Sequence, residues 1–135
     1  MEYPADMFPA LVVGLAVLAW VAGFDIIYAC QDEAFDRRAG LHSLPARLGA
    51  VRALRLAAVC HFIMIGLLAA LPWVCPQLDL GWIYGCGVAV AAALLAYEHS
   101  LVRPDDMARV NVAFFNVNAM VSLGLLAVVT LDLWT

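Results

Sequence analysis

Four long apolar runs alternate with three polar connections along the chain. The first run, Phe8 to Phe24, carries no charge, and continued to Tyr28 it is long enough to cross a hydrocarbon core about 30 Å thick. A polar stretch from about Gln31 to Arg55 follows. The second run covers roughly Leu56 to Trp73, holds His61, and is closed by Pro72 and Pro76. The third, about Leu80 to Leu101, opens with Gly81 and Gly85 in G-x-x-x-G spacing, which lets helices approach closely. The fourth runs from Val110 to Leu131. The pattern predicts four membrane-spanning helices over about 8–28, 56–73, 80–101 and 110–131, in one domain of residues 1–135.

Composition agrees with the pattern and excludes a soluble domain. Hydrophobic residues make up 66% of the 135, only 13% are charged, and the mean hydropathy is +0.93. The fold class expected is therefore an all-α integral membrane protein, with the lipid bilayer as its surroundings. There is no lysine, and all seven arginines fall in the first and third connections. By the positive-inside rule the loop 31–55 is cytoplasmic and both termini lie outside, in a multi-pass protein of the bacterial inner or plasma membrane. The acidic start, MEYPADMF, lacks the positive region of a secretory signal, so the first run is expected to be retained as a span. No basic patch with exposed aromatics supports nucleic-acid binding. Cys30, Cys60, Cys75 and Cys86 have no metal-site spacing and read as small apolar residues.

Chemistry concentrates where the first run ends. Read as a helix, Asp25, Tyr28, Asp32 and Asp36 fall at i, i+3, i+7 and i+11, on one face. Acids on one stripe repel unless a cation sits among them, and such hard oxygen donors suit Mg²⁺ with substrate phosphates completing its shell. The plainer alternative is a solvated, amphipathic helix end. Asp25 tips the balance, because an ionisable group at the membrane boundary is costly and is usually functional or paired. Gly40 and Gly49 bracket LHSLPARL, where Pro45 is placed to start a short helix after Ser43 or Leu44. That segment has the form of a substrate-covering loop or of a plain connection. His61 is expected to hydrogen-bond a neighbouring helix, and Asn111 and Asn118, at i and i+7, either bond across helices or form the polar wall of a cavity.

These residues resemble the second half of a UbiA-type membrane prenyltransferase, the superfamily that includes 4-hydroxybenzoate polyprenyltransferase. The second aspartate-rich signature of that superfamily, D-x-x-Y-x-x-x-D-x-x-x-D, is matched completely by Asp25, Tyr28, Asp32 and Asp36. The segment that follows it, usually G-x-K-S-x-x-x-x-x-G, is matched by Gly40, Ser43 and Gly49, with His42 where many members have lysine. The stretches YEHSLVRPDD and RVNVAFFNVN resemble the 4-hydroxybenzoate polyprenyltransferase-like branch, including relatives that prenylate a dihydroxynaphthoate.

The resemblance implies a nine-helix bundle, of which this chain supplies four helices, acting in ubiquinone or menaquinone biosynthesis. It implies Mg²⁺-dependent transfer of a polyprenyl group from polyprenyl diphosphate to an aromatic acid acceptor. Asp32 and Asp36 then hold the metal, Asp25 positions it or binds a further ion, and Tyr28 steers the diphosphate or the prenyl C1. Arg37, His42 and Arg47, by their place in the same loop and their charge, are substrate-binding candidates, and Ser43 and Asn118 complete that set. The first motif of the superfamily, N-D-x-x-D-x-x-x-D, does not occur in this sequence. Alone, the chain is therefore expected to be inactive or nearly so and to need an N-terminal half carrying that motif. A non-catalytic membrane remnant or partner subunit is the competing reading. The D-G-x-x-A-R signature of CDP-alcohol phosphotransferases is absent, since Asp36 is followed by Arg37, Arg38 and Ala39, and the acid stripe argues against a transporter.

Overall fold

The computed structural model describes residues 7–104, 106–107 and 109–134, so the acidic start MEYPAD and Asp105 lie outside the described residues. Helix α1, Phe8–Ala29, begins on Pro9, whose missing N–H costs nothing in a first helical turn. A tight 3₁₀ turn, Cys30–Asp32, joins it to α2, Glu33–Ala39. Gly40 ends α2 in the left-handed region, φ 71°, a conformation open to glycine because it lacks a Cβ. The expected short helix after Ser43 is present as α3, Leu44–Leu48, with Pro45 in its first turn and the Ser43 Oγ accepting the Ala46 N–H at 3.3 Å.

Helix α4, Ala50–Val74, starts six residues earlier than Leu56. Its first two turns carry Arg52 and Arg55, so hydropathy places the start of the apolar run and not of the helix. The stretch 31–55 is thus largely helical. Helix α5, Trp82–Leu101, is followed by one α turn, α6, Val110–Val112, then a π-helical turn, Ala113–Val117, and α7, Asn118–Asp132. The fourth run is therefore one continuous helical stretch with a π turn inside it.

Among the described residues, three helical segments are long and apolar enough to cross a membrane, Phe8–Ala39, Ala50–Val74 and Phe114–Asp132. Helix α5 is not among them. Tyr97, Glu98 and His99 cut its apolar stretch to Trp82–Ala96, which at about 1.5 Å per residue is roughly 22 Å, short of a full hydrocarbon core. Trp73, Trp82 and Trp134 end or begin α4, α5 and α7 on the side away from the arginines, and they are 80%, 79% and 87% exposed. Such a ring of indoles belongs at a membrane–water boundary.

The bundle pairs α1 with α4 and α5 with α7. Small residues set both contacts. A Cβ added to Gly23 would meet the His61 ring, and one added to Gly87 would meet Val128, so each glycine allows a close backbone approach. His61 is buried and bonds across to α5, its Nδ1 lying 3.0 Å from the His99 Nε2, with one ring donating and the other accepting. The fully buried Glu98 Oε2 lies 3.6 Å from the same nitrogen. At the opposite end, Asp132 accepts the Gly81 N–H at 2.8 Å and the Tyr84 N–H at 3.1 Å, capping α5 from α7. Two helix-terminal donors that would otherwise be orphaned are satisfied by that one carboxylate.

Candidate active site

The acid stripe sits where α1 passes into α2. Asp25, Tyr28 and Asp32 are exposed and Asp36 is half-buried. The 3₁₀ turn winds at about 120° per residue against 100° for an α-helix, so three residues of it rotate Asp32 and Asp36 by about 60° from the straight-helix register. The stripe is consequently a broad face. Among the described residues, none of the three aspartates has a hydrogen bond or an ion pair with another side chain. Asp25 also closes the end of a shallow groove on α1 formed by Gly14, Val17, Leu18, Val21 and Ala22.

The substrate-binding candidates divide by their engagements. His42 and Arg47 are exposed, on and beside α3, at the same end of the bundle. Buried Pro45 docks α3 against α1 and α4. Ser43 spends its oxygen on the α3 cap. Arg37 pairs with Glu33 at 2.7 Å, one turn back on α2. Asn118 lies outside the acid loop, its Oδ1 accepting the Trp20 Nε1–H at 3.1 Å and its Nδ2 donating to the Phe114 carbonyl at 2.7 Å. That is the cross-helix bond of the two roles open to it from sequence.

Glu33 is a residue that motif reasoning passes over. Its Oε2 accepts the Ala50 N–H at 3.0 Å, capping α4 while Oε1 holds Arg37. The acid loop is thereby tied to the start of α4. Glu33 falls off the stripe spacing, and its distance of 17 residues from Ala50 left no local signal.

No group of three or more His, Cys, Asp or Glu side chains among the described residues is arranged to hold a metal. Asp25, Asp32 and Asp36 have no partner side chain and offer the hard oxygen donors that suit a cation of the Mg²⁺ type, which is commonly held by one or two carboxylates with phosphates and water filling its shell. Further along the bundle, away from the stripe, α1, α4, α5 and α7 line a half-open apolar cavity of about 460 Å³, walled by Val13, Trp20, Met64, Leu68, Tyr84 and Leu125 among others.

An all-helical membrane-type protein with free acids at one end and an apolar cavity further along the bundle defines a class. Comparison with known proteins makes it specific: a profile of the UbiA prenyltransferase family matches residues 5–127, and the chain belongs to that family. It is 34% identical over 124 residues to the 4-hydroxybenzoate octaprenyltransferase of Chromohalobacter salexigens, covering 88% of this chain and 38% of that protein. It is 29% identical over 111 residues to the enzyme of the same name from Cupriavidus metallidurans, covering 82% of this chain and 36% of the relative. The chain thus spans well under half the length of the relatives it matches. No solved structure matches it significantly.

Proposed function

We propose that the chain forms one wall of a membrane prenyltransferase that moves a polyprenyl group from its diphosphate to an aromatic acid of the 4-hydroxybenzoate class. The observation that carries this reading is the unpaired acid face of Asp25, Asp32 and Asp36 at the mouth of an apolar bundle, in a chain of the UbiA family. In the reaction, the bond between prenyl C1 and the diphosphate oxygen breaks, and the electron pair leaves with the diphosphate. A ring carbon of the acceptor forms the new bond to C1, and the ring loses a proton.

Mg²⁺ held by Asp32 and Asp36 would supply charge neutralisation and Lewis acidity at the leaving group. Asp25 keeps its carboxylate on the same face to position that assembly. Tyr28, one turn on, orients the diphosphate or C1. His42 and Arg47 stand at the same end as cationic or hydrogen-bonding partners for phosphate oxygens. The apolar cavity suits a hydrocarbon tail. Helix α5 serves as the fourth crossing, with the arginine-bearing end in the cytoplasm. The negative charge on the leaving diphosphate calls for more cation than one wall would hold, and we assign the second acid wall that would hold it to an N-terminal half carrying N-D-x-x-D-x-x-x-D.

Co-production with the N-terminal part of the Chromohalobacter salexigens relative provides the test. Membranes holding both pieces are expected to transfer radiolabelled prenyl groups to 4-hydroxybenzoate when Mg²⁺ is present, with neither piece active alone. Stable association of the two pieces without any transfer would favour the non-catalytic partner reading instead.

A further inference from the structure

The π-helical turn Ala113–Val117 is not explained by membrane crossing. A turn with i→i+5 hydrogen bonds holds one residue more than an α turn, and such insertions cluster at functional sites. Here Asn118 fixes its position. One end of that amide bonds the Trp20 indole on α1 and the other bonds the carbonyl of Phe114, inside the π turn. The half-buried Phe114 is consequently held against α1.

On α1, Trp20, Phe24 and Tyr28 recur every four residues and so share a face. The Trp20 and Phe24 rings meet edge to face at 5.7 Å, and Phe24 and Phe114 do the same at 5.3 Å. Phe114 then lies 4.6 Å from the Tyr28 ring, tilted by 43°. All three separations fall within the 4.5–7 Å or so of favourable aromatic pairs. The series starts at the apolar cavity, where Trp20 is a lining residue, and ends on the acid stripe, where Tyr28 is exposed.

We propose that Phe114, placed by the π turn and by Asn118, is a positioning residue that holds the Tyr28 ring in one orientation towards the reacting end of an allylic diphosphate. The inference rests on the prenyl-transfer reading and adds two residues to it. A tyrosine on an exposed helix face has several rotamers open to it. Packing against Phe114 selects one, so the ring faces the carbon from which diphosphate departs, and an aromatic face attracts positive charge. Asn118 acts one step further back, through the π turn.

The test uses the full chain, labelled with 3-fluorotyrosine in detergent micelles and followed by fluorine NMR, with the Tyr28 line identified by its loss in Tyr28→Phe. Farnesyl diphosphate with Mg²⁺ is the probe. In the wild type a single Tyr28 line is expected, and it moves on addition of the probe. In Phe114→Leu and in Asn118→Leu that line shifts or broadens without the probe and loses its response to it, while the Tyr84 and Tyr97 lines and the melting temperature hold. Phe114→Tyr restores the response, which a general loss of packing would not allow. A wild type that responds, with both Phe114→Leu and Asn118→Leu responding equally, overturns the inference alone. A wild-type line indifferent to farnesyl diphosphate and Mg²⁺ overturns the diphosphate reading, whatever the variants do to Tyr28.

Discussion

Asp32→Ala and Asp36→Ala, each introduced singly, are expected to lower Mg²⁺-dependent prenyl transfer by about a hundredfold or more in membranes that also contain the complementary half. The size follows from what the carboxylates do. Loss of metal-assisted neutralisation at a leaving diphosphate forfeits several kcal/mol of transition-state stabilisation, and each 1.4 kcal/mol or so is a factor of ten. Neither aspartate supports the fold through a bond to another described side chain, so both variants should insert and melt like the wild type. Glu33→Ala is the instructive contrast. It removes the acceptor for the Ala50 N–H and the partner of Arg37, so its effect should appear in stability as well as in turnover. The prediction is checked by initial transfer rates over a range of Mg²⁺ concentrations, and equal rates in wild type and both aspartate variants would remove the metal role assigned to the stripe.

Gly23→Val is expected to be the most damaging single change to packing, destabilising the chain by about 3 kcal/mol, the upper part of the range for overfilled interiors. Even the first atom of the new side chain lands on the buried His61 ring, with the Ala57 carbonyl 3.2 Å away behind it. The ring has little room to yield, since it is bonded to His99 and stands beside Glu98. Gly14→Val, in the same helix, provides the control. Nothing lies within 4 Å of a Cβ there, so the change should stay within about 0.5 kcal/mol. Thermal melts in detergent distinguish the two, and similar melting temperatures would contradict the close α1–α4 approach.

The features legible in the sequence were those with a local signature. Apolar run length located the first two and the last crossing segments, and Ser43, Pro45 and the two positive-φ glycines marked α3 and its flanks correctly. The D-Y-D-D spacing located the acids at the junction of α1 and α2, but not the 3₁₀ turn that spreads them over a broad face and leaves Asp36 half-buried. What escaped was non-local or invisible to hydropathy. Nothing in the apolar pattern separates a π turn from an α turn, so the π turn in the last helix and the seat it makes for Phe114 could not be read. Asn118 was recognisable as a buried amide, but its partner Trp20 is 98 positions away. His61 was expected to bond a neighbouring helix, and the structure supplies His99. Glu33 and Asp132 look like ordinary acids in the sequence, and only the folded chain shows each capping a distant helix. Arg37, drawn by its charge into the diphosphate set, is paired with Glu33 and would have to exchange that partner for phosphate.

The central claim is that the acid stripe holds a prenyl diphosphate through Mg²⁺, and calorimetry on the chain in lipid nanodiscs tests it most directly. With farnesyl diphosphate as titrant, saturable binding is expected when Mg²⁺ is present, no comparable heat when the metal is chelated, and none from the Asp32→Ala, Asp36→Ala double variant. Binding of equal strength with and without Mg²⁺, or undiminished in that variant, would contradict it.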